Sequence, residues 1–344
     1  MRKTISNATF FMLTSLCMTR PVCAQKSQFH VETYEEKRFT ITVTDTFPYP
    51  SGVPRLILIA TVPPSLPSQK DLKLTMWYDQ NQIGTPGKEG SSLHRQILSA
   101  DINAAAHPAI TLVYEGTLSK RRLAQGAPVS PVPDLTPDER QQTLAYTTMC
   151  DFNRPEFQVW LNEKSLHPQK KEDDLRFGYR AFCFVKDKYT YRHDENSGAE
   201  TRTSCFLRTV DTLDCGEAVL ELSAILRANS IPCRIKVGRN VVPDNTHEYG
   251  AQRHVKAEFY ARSIGWIPVE VAGALGLPDT TYTFGYDSFY FLTTHVENNM
   301  VFDTKYWGPR TMHWASVMRF WGSIGPSGET KERWTIQEVS AVRK

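Results

Sequence analysis

Asp214-Cys215-Gly216-Glu217-Ala218-Val219-Leu220-Glu221-Leu222-Ser223-Ala224-Ile225-Leu226-Arg227 reads as one amphipathic helix with a cysteine in its first turn. Ala218, Leu222 and Ile225 share a face, with Val219 and Leu226 beside it. Asp214 stands where an N-cap belongs, and Glu217 three residues later suits a capping box. Asn229 and Pro232 mark the end. Backbone N–H groups in a first turn have no intrahelical partner. They and the helix dipole favour a thiolate over a thiol at Cys215. The Cys215 N–H can also point at a developing oxyanion. Ile231-Pro232-Cys233-Arg234-Ile235-Lys236-Val237-Gly238 then reads as a strand.

A second strand, His254-Val255-Lys256-Ala257-Glu258-Phe259-Tyr260, sends Val255, Ala257 and Phe259 one way and His254, Lys256 and Glu258 the other. A turn at 261–265 leads into Trp266-Ile267-Pro268-Val269-Glu270-Val271, whose apolar face is Ile267, Val269 and Val271. A hairpin centred on Arg262 would set His254 directly across from Glu270, with Cβ atoms about 5 Å apart. A carboxylate beside an imidazole fixes its tautomer and supports its protonated form. A helix-start thiol facing that histidine is the layout of a nucleophilic cysteine enzyme. Glu258 shares the face of His254 but lies four residues along the same strand, beyond reach of the imidazole, so a structural role is expected for it.

These segments resemble the transglutaminase-like superfamily. Cys215-Gly216 with Leu222, Leu226-Arg227, Ile231-Pro232, Arg234 and Gly238 is similar to its nucleophile segment. His254 through Tyr260 and Gly265 through Glu270 are similar to its His and Asp segments, and a helix ending at Lys188-Tyr189-Thr190-Tyr191 fits upstream. The resemblance covers about residues 170–272. It implies a papain-like core with a Cys-His-Asp triad, whose positions are Cys215, His254 and Glu270 here, performing acyl transfer on amides of a protein or peptide. Two positions depart from the pattern: Glu270 replaces the family's Asp, and Val271 its following Pro. A catalytically silent scaffold serving as an envelope binding or assembly module is the alternative expectation.

Upstream, residues 25–118 read as an antiparallel β-sandwich. Phe39-Thr40-Ile41-Thr42-Val43-Thr44 alternates strictly, and Leu56–Val62, Leu72–Tyr78 and Ile110–Tyr114 are further strands between Pro, Gly and Ser turns. Residues 119–136, rich in proline, read as a linker that opens on a solvated basic run, Lys120-Arg121-Arg122. Thr136-Pro137-Asp138-Glu139 is a helix start. Residues 137–344 then form the transglutaminase-like unit, with Trp307, Trp314, Trp321 and Trp334 expected in its core. The fold class is therefore α+β.

The N-terminus carries an export signature. Arg2 and Lys3 precede the apolar run Phe10–Met18, and Val22-Cys23-Ala24 suits cleavage before Gln25. Residues 1–24 are expected to be a cleaved signal peptide, with the protein periplasmic or extracellular, as in bacterial members of the family. The whole chain of 344 residues carries 40 Lys and Arg against 37 Asp and Glu. The signal holds Arg2, Lys3 and Arg20 and no acid, so the mature chain is neutral and shows no nucleic-acid footprint. A retained membrane anchor is the alternative for residues 1–24, and no later stretch is long and apolar enough to span a membrane. Five cysteines remain, Cys150, Cys183, Cys205, Cys215 and Cys233. An odd count leaves at least one thiol unpaired and permits up to two disulfides. His247-Glu248 and His254 lack the one-turn spacing of a helical zinc motif. Neither a Gly-rich phosphate loop nor a Gly-x-Ser-x-Gly elbow is present, so neither a metal nor a cofactor is expected.

Overall fold

The computed structural model describes residues 28–46, 55–103, 109–128, 130–192, 202–242, 253–316, 318–324, 327–329 and 331–339. Residues 1–24, read above as a signal peptide, Val129 of the expected linker, and His247 and Glu248 lie outside the described residues. The chain opens with seven strands: β1 (Phe29–Thr46), β2 (Leu56–Thr61), β3 (Gln69–Tyr78), β4 (Asn81–Ile83), β5 (Thr85–Lys88), β6 (Gln96–Ile102) and β7 (Ala109–Gln125). Helices α1 (Pro137–Thr143), α2 (Pro155–Glu163) and α3 (Asp174–Lys188) follow, then β8 (Thr190–Tyr191), α4 (Ser204–Leu207) and β9 (Thr212–Leu213). The central helix α5 (Cys215–Ala228) leads to β10 (Cys233–Val241), β11 (Arg253–Ala261), β12 (Gly265–Val269), β13 (Tyr290–Val296), β14 (Met300–Asp303) and β15 (Pro309–Met312). Strands β16 (Arg319–Gly322), β17 (Ser327–Glu329) and β18 (Lys331–Val339) complete the order.

Two five-stranded antiparallel sheets, β18-β1-β7-β3-β4 and β17-β16-β2-β6-β5, form the sandwich. Phe39, Ile41 and Val43 of β1, Leu56 and Leu58 of β2, and Met76, Ile110 and Leu112 fill its interior. This is the inward half of the alternation read along β1. The α+β class and the antiparallel sandwich are as the sequence implies. The sandwich is not built from the N-terminal region alone, however. β16 and β18 return from the far end of the chain, with Phe320 opposite Leu58 and Ile336 opposite Ile41.

Strand β7 also runs further than the sequence suggests. Residues 119–125, expected in the linker, are its last turns of pleat and remain paired with β1 to the end. Arg121, expected to be solvated, is buried and ion-paired with Glu258 at 3.3 Å, and it donates to the Trp266 carbonyl at 2.8 Å. Leu123 N–H reaches the Gly285 carbonyl at 2.6 Å. These long-range partners hold the segment extended, and a local reading of basic and polar residues has no access to them.

The second unit packs α5 between helices α3 and α4 and one face of the sheet β12-β11-β10-β13. Capping drives the local structure. Thr136 accepts from Glu139 N–H at α1, Asp173 caps α3, and Asp214 caps α5. Helix α5 is not amphipathic in the fold, because every residue from Gly216 to Arg227 is buried. Its polar positions are satisfied one by one. Glu221 accepts from Tyr189 Oη at 2.8 Å, Ser223 meets Cys233 Sγ at 3.3 Å, and Arg227 pairs with Glu297 at 2.7 Å. Of the four tryptophans expected in the core, Trp321 and Trp334 are buried, Trp314 is half-buried and Trp307 is 47% exposed. Trp307 lies on the surface with its Nε1 donating to the Gly322 carbonyl at 2.8 Å.

Candidate active site

The capping box at the start of α5 is complete: Glu217 N–H donates to Asp214 Oδ1 at 2.8 Å and Asp214 N–H to Glu217 Oε2 at 3.0 Å. Arg202 pairs with Glu217 at 2.6 Å and braces this turn from outside. The box fixes the first turn of α5 and therefore Cys215, which is half-buried and free. All five described cysteines are free thiols, so none of the two disulfides allowed by the count forms among them. Burial pushes the Cys150 thiol up to about 12 and the Cys233 thiol to about 11, the latter against the pull of Arg227. Such thiols are poor nucleophiles.

His254 stands on β11 opposite Gly238 of β10. A side chain at position 238 would force the backbone to shift, since its Cβ would lie 1.9 Å from the Leu292 carbonyl oxygen. The close approach of β13 brings the Phe291 ring edge-on to the imidazole, with centroids 6.4 Å apart. Glu270 follows the last residue of β12. Its N–H donates to the Thr283 carbonyl at 2.7 Å. Its Oε1 receives His254 Nε2 at 2.8 Å and the Gly273 N–H at 3.3 Å.

The structure brings His254 and Glu270 together by a different route from the expected one. The β11–β12 hairpin pairs Ala257 with Val269 and Ala261 with Gly265, so it is centred on Ser263 and not on Arg262. Ser263 takes φ 63° and Gly265 φ 95°, a three-residue turn closed by Ile264 N–H to the Ala261 carbonyl at 3.1 Å. Moving the centre by one residue moves each partner by two. The face is kept, but Glu270 is offset along the ladder from His254. The longer Glu side chain spans that diagonal. This bears on the replacement of the family's Asp.

The charges agree with the geometry. Burial opposes the charged imidazole, yet the Glu270 carboxylate, together with hydrogen bonding and charge from Cys215, raises His254 to about 9. Burial likewise opposes the Glu270 carboxylate, and the charges of His254 and Lys256 with the Gly273 N–H lower it to about 2. Glu270 engages Nε2, which leaves Nδ1 as the ring nitrogen for the sulfur. The three residues read from the sequence are therefore neighbours in the fold. Glu258 is absent from this group. It is fully buried and held by Arg234, Lys236 at 2.7 Å and Arg121.

Three neighbours were not legible as such in the sequence. Tyr191 on β8 lies beside the helix start because β8 pairs in parallel with β9, two residues before Cys215. Burial, then the charges of Cys215, Asp214 and Glu270, raise its hydroxyl to about 12. Trp314 lies over the first turn of α5, where a Cβ on Gly216 would come within 3.1 Å of its indole. Lys256, with its ammonium 3.5 Å from Glu270 Oε2, lies under the pair. Tertiary packing alone delivers Tyr191 and Trp314, and no local pattern marks them. Lys256 was at least visible on the face of His254. Among the described residues no group of three or more His, Cys, Asp or Glu is arranged to hold a metal ion, and no helix is long and apolar enough to cross a membrane.

Residues 165–271 match the model of the transglutaminase-like superfamily. That span contains Cys215, His254 and Glu270. Among solved structures, the fold is similar to that of a candidate cysteine protease from Cytophaga hutchinsonii, with a TM-score of 0.57 and 14% identity, covering 92% of this chain and 94% of that one. A fainter likeness, TM-score 0.32 at 12% identity over 66% of this chain and 92% of the other, is to the periplasmic domain of TgpA from Pseudomonas aeruginosa bound to ethylmercury. None of the curated proteins matches the chain. The region that carries Cys215, His254 and Glu270 is thus similar to the transglutaminase-like superfamily, in a chain that also holds a β-sandwich.

Proposed function

We propose that the protein is an exported cysteine acyl-transfer enzyme acting on peptide or glutamine side-chain amides of protein substrates. The observation that carries this reading is the position of His254, which engages Glu270 at 2.8 Å on one side and the free Cys215 thiol on the other. The Cys215 thiolate attacks the amide carbonyl carbon. The Cys215 N–H, at the helix start, stabilises the oxyanion. The C–N bond then breaks, the His254 imidazolium gives its proton to the leaving amine, and a thioester remains on Cys215. Water or an incoming amine attacks the thioester, His254 takes its proton, and the C–S bond breaks to return the thiolate. Water gives proteolysis or deamidation, whereas a lysine amine gives cross-linking. Glu270 keeps the imidazole oriented through both halves.

A silent envelope scaffold is the competing reading, and a free thiol beside a charged imidazole argues against it. The test is alkylation with iodoacetamide at neutral pH, followed by a screen with a labelled amine donor and a peptide library. Preferential labelling of Cys215, abolished in His254→Ala, is the expected result. Labelling no faster than that of a free thiol, with the cellular phenotype intact in Cys215→Ala, would overturn the proposal in favour of the scaffold.

A further inference from the structure

Beneath the histidine and the glutamate lies a buried cation that the acyl-transfer scheme does not use. Lys256 is 2% exposed, two residues along β11 from His254 on the same face. Its ammonium makes no hydrogen bond and stands 3.5 Å from Glu270 Oε2. The Phe291 ring lies 5.2 Å from it and walls off the other side. A second buried lysine, Lys236 on β10, lies 5.7 Å from the same ring but is committed to Glu258 at 2.7 Å. The two oxygens of Glu270 therefore have separate duties. Oε1 is held by His254 and the Gly273 N–H, and Oε2 faces Lys256.

A glutamate at this position needs such a hold. Its side chain has one more rotatable bond than aspartate, and hydrogen bonds to one oxygen leave the carboxylate free to swing about that contact. Burial also favours the neutral acid, which cannot support an imidazolium. A buried ammonium at Oε2 opposes both tendencies.

Taking the triad reading above as its basis, we propose that Lys256 is a positioning residue that pins Oε2 of Glu270 and keeps the carboxylate ionised. It thereby sets the acid edge of the pH range in which the site works. The other titratable groups around the pair are Cys215 and its N-cap Asp214 at the start of α5, Tyr191 on β8 and Lys236 on β10. Of these only Lys236 is a cation, and its ammonium is directed to Glu258, at 2.7 Å. Among the described residues, removal of Lys256 leaves His254 as the other charge that lowers Glu270.

The test follows the Glu270 carboxyl carbon by NMR titration of the full chain, with the signal assigned by its loss in Glu270→Gln. In Lys256→Met and Lys256→Gln the midpoint is expected to rise by about one unit or more. The acid limb of turnover should move with it, while KM is held. Lys256→Gln nearly keeps the length of the side chain and serves if the Met variant does not fold. An unmoved Glu270 midpoint in either folded variant would overturn the proposal. The carboxyl titration needs no activity, so it decides the role of Lys256 even if Cys215 proves unreactive and the acyl-transfer reading fails.

Discussion

His254 and Glu270 are hydrogen-bonded at 2.8 Å although they are not register partners, because the β11–β12 hairpin turns about Ser263 and offsets Glu270 along the ladder. The carboxylate reaches its histidine diagonally, and the reach depends on side-chain length.

Glu270→Asp should therefore be a poor conservative change. Shortening the side chain withdraws the carboxylate from Nε2, and a displacement of about 1 Å in a catalytic group costs on the order of a hundredfold in rate. Turnover of an amide substrate is expected to fall by about that factor, and Glu270→Gln should lose more, about ten-thousandfold. Full activity in the Asp variant would show that the offset has no mechanistic weight.

The pH dependence of stability has a definite sign at each end. His254 is raised from 6.5 to about 9, so its contribution is complete below 6.5 and fades as pH climbs through 9. Glu270 is lowered from 4.5 to about 2, so its contribution is complete above 4.5 and fades as pH drops through 2. The stability gap between wild type and Glu270→Gln should be widest between 4.5 and 6.5. Denaturant titrations across the range provide the measurement. A gap still growing above pH 7 would contradict the assignment of His254 as the charged partner.

Glu258 should matter for folding and not for chemistry. Its carboxylate is surrounded by Arg121, Arg234 and Lys236, all buried. Glu258→Gln leaves those cations without their anion, at a cost of about 3–5 kcal/mol. Urea unfolding should show the loss. On the proposed acyl-transfer reading, the residual folded protein should keep its turnover per site, and a selective loss of turnover at unchanged stability would refute this division of roles.

Gly238→Ala tests the packing that supports His254 from across the ladder. The added Cβ would meet the Leu292 carbonyl oxygen at 1.9 Å, a backbone atom that cannot step aside without parting β10 from β13. A destabilisation of about 4 kcal/mol or more is expected, or failure to accumulate as soluble protein. A variant within about 1 kcal/mol of wild type would mean that the two strands slide more freely than their register implies.

Much of this architecture could be read from local patterns, and the exceptions have physical causes. The caps Thr136, Asp173 and Asp214 act within one turn of themselves, so their sequence signals survive folding intact. The placement of Cys215 at a helix start and of His254 on a strand face is legible for the same reason, since both are local properties. The β11–β12 hairpin turns one residue later than the sequence implies because Ser263 adopts a positive φ, which its side chain does not advertise. The burial of all sides of α5 and the burial of Arg121 depend on elements distant in sequence. Neither the helical period nor the charge run contains that information. The C-terminal strands of the sandwich escaped for the same reason: their alternation is visible, but their partners are not.

The pairing of β1 with β18 has a temporal consequence. Lys37 finds its partner Glu338 at a separation of 301 residues. Until β18 emerges, one long margin of β1 carries open donors and acceptors, a template for association with other chains. Closing so distant a pair carries the entropy of a very long loop, which places the step late in folding. Completion of this sheet thus waits on a strand far downstream of β1, with Lys37 and Glu338 301 residues apart.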